Sequence, residues 1–200
     1  MIMDKADTIL VNSPFKKLMQ KYFEFPIFKT FLKSEKLDIK HKIVLEAGCG
    51  AGYGLQIIHD EFVPKELYGF DILEEEIKIA KKKKIPAEIF VGDVLDTKFP
   101  DKKFDVVFVL EVLHHVPQWR EGLKELNRIM KRGGILLISE HCKDSVKRLE
   151  RVFGVKHPKE ANFRWNEFYA GTKSAGFIIK HRKIIFPGLG FYLCIKTKEI

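Results

Sequence analysis

The sequence predicts an α/β fold, a doubly wound and mostly parallel sheet of seven strands with helices on both faces. Three observations carry this. The apolar run from Lys42 to Leu45 reads as a buried strand. It feeds a glycine turn through Gly48, Gly50, Gly52 and Gly54, and then apolar residues at helical spacing, Leu55, Ile57 and Ile58. Strand-like runs recur downstream with helix-patterned segments between them. The chain closes on two further runs joined by Pro187-Gly188-Leu189-Gly190, a hairpin signal that makes the last pair antiparallel.

Taken in order, Pro14 to Phe23 reads as a helix with Ser13 as its cap and Pro14 at its first position. Pro26 is expected to interrupt it, and Ile27 to Lys36 reads as a second helix. Leu67–Ile72 is the second strand. The helix after it opens on Glu74, Glu75 and Glu76 and closes on Lys81 to Lys84, the arrangement that the helix dipole favours. The four lysines read as a solvated helix end rather than a nucleic-acid contact. Ala87–Val94 is the third strand, and Phe104–Val116 a fourth that runs into a loop. A helix over Trp119–Lys131 leads to the fifth strand, Gly133–Glu140. Residues 142–175 form an insertion with helices at Lys143–Phe153 and Asn166–Ala175, joined by His157-Pro158. Ile178–Phe186 and Phe191–Lys196 complete the sheet.

A chain of 200 residues is long enough for one domain with a full core, spanning 1–200. An apolar fraction of 46% and a charged fraction of 32% fit a globular protein. No apolar run has the length of a membrane span, and the N-terminus lacks the basic-then-apolar signature of a secretory signal. Cys49, Cys142 and Cys194 lie far apart, so neither a disulfide framework nor a zinc site is indicated, and no metal is expected. Cytoplasmic residence is the default expectation. The net charge of +9 leaves nucleic acid as a conceivable partner, though not the favoured one.

Glycines in a strand-to-helix turn let the backbone approach a nucleotide-like ligand. A dinucleotide fingerprint needs a third glycine at the sixth position of the turn. Counting from Gly48 gives Tyr53 there, and counting from Gly50 gives Leu55, so that pattern fails in both registers. The remaining pattern, Glu46-x-Gly48-x-Gly50-x-Gly52, resembles the first motif of the class I S-adenosylmethionine (SAM)-dependent methyltransferases. Asp71 ends the second strand roughly 20 residues on, where such folds place the ribose-binding carboxylate. Gly92-Asp93-Val94 and the runs ending at Leu110 and Glu140 then follow in the family's order.

The resemblance implies a Rossmann-like methyltransferase fold with SAM as cofactor and S-adenosylhomocysteine as product. It places the cofactor against Glu46, Ala47, Gly48, Cys49, Gly50 and Tyr53 of the turn, and against Asp71, Ile72, Asp93, Val94 and Leu110. Glu46 would face the amino group of the methionine moiety and Asp93 the adenine amino group. It also implies that residues 1–41 are a helical lid, with Tyr22 reaching the ligand. Residues 42–140 are then the cofactor half and 141–200 the acceptor side.

Methyl transfer is a direct displacement, so alignment matters most, and a base is needed only where the acceptor loses a proton. His114 and His115 are the natural base candidates, with Glu111, Glu140 and His141 nearby. Leu110-Glu111-Val112-Leu113 stands where nucleic-acid amino methyltransferases carry Asn/Asp-Pro-Pro-aromatic. The chain is therefore most similar to the small-molecule branch that includes ubiquinone and menaquinone biosynthesis enzymes. An RNA or protein methyltransferase, or a SAM-binding module without activity, are the alternatives. The sequence names neither acceptor nor oligomeric state.

Overall fold

A computed structural model describes residues 14–154, 163–185 and 188–197, apart from the side chains of a few residues at the edges of these stretches. The helices are α1 (Pro14–Met19), α2 (Phe25–Ser34), α3 (Tyr53–Phe62), α4 (Glu74–Lys82), α5 (Trp119–Ile129), α6 (Lys143–Phe153) and α7 (Trp165–Ser174). The strands are β1 (Ile43–Ala47), β2 (Glu66–Asp71), β3 (Glu88–Val91), β4 (Phe104–Leu110), β5 (Met130–His141), β6 (Phe177–Ile185) and β7 (Leu189–Lys196). They form one sheet in the order β3-β2-β1-β4-β5-β7-β6. Only β7 runs antiparallel, to β5 on one side and β6 on the other. The chain reverses its direction of travel at β1/β4, which leaves a crevice beyond the carboxyl ends of those strands.

Alternation along the strands divides the core in two. Val44, Val106, Phe108, Leu137 and Phe191 face α2, α3 and α4, whereas Leu45, Val107, Val109, Leu136 and Tyr192 face α5 and α7. The first face is built around Phe108, whose ring centroid lies 5.8 Å from Phe25, 6.1 Å from Phe28 and 5.9 Å from Phe62. The second centres on Trp119, Phe163, Phe168 and Tyr192, with Phe163 and Phe168 stacked at 4.9 Å. Burial of this many large side chains is the main source of stability.

Pro26 does not break the N-terminal helix. A π-helical turn over Gln20–Glu24 joins α1 to α2, and the Phe25 N–H donates to the Gln20 carbonyl. That register shift brings Pro26 into the first turn of α2, where its missing N–H costs nothing. Ser13 lies outside the described residues, as does His157-Pro158. Phe25, Phe28, Phe31 and Leu32, which fall within the expected lid of residues 1–41, are core residues packed on the sheet face.

At the opposite edge, Lys196 is 2% exposed and its ammonium donates to the carbonyls of Asn127 and Met130, both at 2.8 Å. A cation there satisfies carbonyls at the end of α5, where the helix dipole favours it. Lys196→Met keeps the apolar stem and removes the donors. It should lower stability by about 1–3 kcal/mol in urea unfolding, the cost of leaving buried acceptors unmade.

Candidate active site

Three glycines with positive φ shape the turn after β1: Gly48 (75°), Gly50 (48°) and Gly52 (78°). No other residue type adopts three such angles so readily. The Gly48 and Cys49 N–H groups both donate to the Phe70 carbonyl at 2.8 Å, which ties the turn to β2. Asp71 completes the tie. The Gly50 N–H donates to its Oδ2 and the Leu73 N–H to its Oδ1, each at 2.9 Å. Each oxygen keeps a further lone pair for a ligand hydroxyl. Burial raises the Asp71 pKa, and the Leu73, Gly50 and Ile72 N–H groups pull it back down.

Glu46 is 2% exposed and points toward α3. A methyl group at Gly54 would fall 1.9 Å from Glu46 Oε1, so glycine there makes the room the carboxyl occupies. Its Oε2 has no hydrogen-bond partner among the described residues. Burial pushes its pKa well above the usual range, and the neighbouring Glu24 and Asp71 add to the shift. A buried carboxyl with an open oxygen, beside two further acids, is a place for a ligand cation. Glu24 was not foreseen. It is buried at the end of the π turn, and the Ser139 hydroxyl donates to it at 3.3 Å. The signal lay in its position, an acid between aromatic residues, but its Ser139 partner is remote in sequence.

Of the other expected contacts, Ala47, Cys49, Val94 and Leu110 are buried. Burial also raises the Cys49 thiol well above its normal range, the setting of a packed thiol. Asp93 closes its own turn by accepting the Leu95 N–H at 2.9 Å. Tyr22 is 65% exposed, and burial in that segment falls on Gln20 and Glu24 instead. Tyr53, the first residue of α3, carries cations near its ring: the Lys83 ammonium 2.9 Å and the Lys17 ammonium 4.0 Å from its centroid. The run Lys81 to Lys84 is therefore not uniformly a solvated helix end. α4 turns Lys83 inward toward the glycine turn, an orientation that the charge pattern alone does not specify.

The loop after β4 is organised by Glu140 from β5. Its Oε1 accepts the Val112 and Leu113 N–H groups at 2.8 and 2.5 Å, and its Oε2 the His114 N–H at 3.4 Å. Oε2 also meets His114 Nδ1 at 2.7 Å. Burial pushes Glu140 up to about 8 against the pull of those N–H groups. His114 and His115 are 2% and 7% exposed, with rings 4.1 Å apart. Both are packed into the loop, His114 against Glu140. The more accessible pair is Glu111 and His141, with Oε2 and Nε2 3.4 Å apart and side-chain exposures of 18% and 11%. His141 Nδ1 lies 2.9 Å from the Ser145 hydroxyl. Glu111 holds a φ of 58°, a strained angle for a side-chain-bearing residue, at the end of β4.

Residues 45–138 match the family described as Methyltransferase domain. Over that stretch the chain is similar to methyltransferase domains, and its sheet has the fold of solved SAM-dependent methyltransferases. It is 34% identical over 105 residues to a fatty-acid O-methyltransferase of Mycolicibacterium smegmatis, an overlap of 52% of this chain and 38% of that one. It is 31% identical over 136 residues to 2-methyl-6-phytyl-1,4-hydroquinone methyltransferase of Synechocystis, covering 60% and 42%. The chain thus spans about two fifths of the length of those relatives. The fold of a SAM-dependent methyltransferase from Aquifex aeolicus superposes with a TM-score of 0.74 at 20% identity, over 97% of this chain and 99% of that one.

Lys83 gives the domain a pH signature. Burial, and then repulsion from Lys17, lower its pKa from 10.5 to about 8. An ammonium with a depressed folded pKa is deprotonated more readily in the native state, so unfolding takes up a proton between about pH 8 and pH 10.5. Its cost to stability is present at neutral pH and fades as pH rises through that window. Lys83→Met should therefore melt higher than the parent at pH 7, with the advantage shrinking toward pH 10.5 in thermal scans.

Proposed function

We propose that the chain moves a methyl group from SAM to a small, lipophilic acceptor. The observation that carries this is the pairing of a clamped Asp71 with an open Glu46 oxygen on either side of the glycine turn. These acceptors fit the cofactor. Asp71 can accept from two ribose hydroxyls, and Glu46 from the ammonium of the methionine moiety. The cofactor supplies an electrophilic methyl group, and the rest of the work falls to the chain.

The strand ends hold the two reactants in one crevice and exclude water from it. Glu24 and the π turn close over that crevice from the N-terminal side. Where the acceptor is a hydroxyl, His141 Nε2 takes its proton and Glu111 stabilises the imidazolium. The named relatives, which act on a fatty acid and on a phytyl hydroquinone, support an acceptor with a long apolar part. Among the described residues no helix is long and apolar enough to cross a membrane. The reading includes a cytoplasmic site of action, supported by three buried cysteines with free thiols.

Asp71→Ala should weaken SAM binding by about 2–3 kcal/mol in calorimetry, since it removes a charged acceptor of two hydroxyls and loosens the Gly50 turn. His141→Ala should keep SAM affinity and lose transfer to hydroxyl acceptors in a panel scored with labelled methyl. Wild-type SAM affinity in Asp71→Ala would refute the placement of the cofactor.

A further inference from the structure

Two helices at the carboxyl edge of the sheet leave apolar side chains in solvent between cations. In the N-terminal helical segment, Leu18 is 56% exposed, Tyr22 65% and Phe23 40%, interleaved with Lys17 and Lys21. Its acid, Glu24, is turned inward and buried. In α6, Lys147, Arg148 and Arg151 are exposed beside Val152, which is 66% exposed. The exposed acid of α6 is Asp144, in its first turn. Both elements flank the crevice. Lys17 reaches Tyr53 just past the glycine turn, Glu24 reaches Ser139 of β5, and α6 starts at Lys143, two residues after β5 ends at His141.

We propose that this rim docks on the surface of an anionic lipid bilayer. Helices with aliphatic and aromatic residues beside lysine and arginine lie in the headgroup region, where the apolar groups sink and the cationic stems reach up to lipid phosphates. The charge is complementary: the rim is basic and the chain carries +9 overall. The aliphatic members, Leu18 and Val152, separate this surface from a nucleic-acid contact, which takes cations and stacking rings but gains nothing from exposed aliphatic groups. The docked orientation turns the mouth of the crevice toward the bilayer, so an acceptor with an apolar chain enters from lipid without crossing water. The docking itself requires neither cofactor nor turnover, so it stands or falls apart from the methyl-transfer reading.

Flotation with vesicles tests it. The chain should float with phosphatidylcholine vesicles containing phosphatidylglycerol, not with pure phosphatidylcholine, and rising salt should release it. Lys21→Glu with Tyr22→Ser, and separately Arg151→Glu with Val152→Ser, should each weaken binding by about tenfold. These are surface positions, and unchanged circular dichroism and melting would show that each variant is folded. In a Tyr22→Trp variant, brominated lipid should quench the added tryptophan. Three results would overturn the proposal: no flotation at low salt, full flotation of both double variants, or tighter binding to single-stranded RNA than to the anionic vesicles through the same residues.

Discussion

Buried carboxylates bonded to backbone N–H groups hold the carboxyl edge of this sheet in shape, and the rest of the site depends on them. Asp71 fixes the glycine turn from β2, and Glu140 fixes the histidine loop from β5. Among the described residues, neither is paired with a lysine or arginine. Their compensation comes from N–H groups of loops that would otherwise have no internal partner. A loop pinned in this way has little freedom, so the crevice between the two loops is preformed. Glu46 is the exception that gives the edge a function. It is buried in the same manner, but one of its oxygens remains open.

The same edge sorts the histidines into separate tasks. His114 is locked to Glu140 and packs against His115, and His141 stands perpendicular to it at 5.5 Å. His114 meets Glu140 at 2.7 Å, and His141 meets Glu111 at 3.4 Å. His141 has the more open position and a strained Glu111 as neighbour. The division of labour is thus set by exposure and partner, not by residue type.

The sheet and the glycine turn were legible in the sequence because their signals are local. Apolar runs, a run of glycines and acids at strand ends are all written within a few residues of one another. Pro26 was misread because its tolerance depends on the five-residue π turn, Gln20–Glu24, just before it. The inward Lys83, the buried Glu24 and the Glu111–His141 pair were not legible for a different reason. Each is defined by partners brought together from remote segments, as with Ser139 lying 115 residues from Glu24. The paired histidines drew attention by type, whereas their burial and the contact with Glu140 depend on residues remote in sequence.

A crystal structure with S-adenosylhomocysteine tests the central claim most directly. The account predicts the ribose hydroxyls within hydrogen-bond distance of Asp71 and the ligand ammonium at the open oxygen of Glu46, with the glycine turn unchanged. Ligand density lying elsewhere, or a turn rebuilt around a ligand that leaves Asp71 and Glu46 untouched, would contradict it.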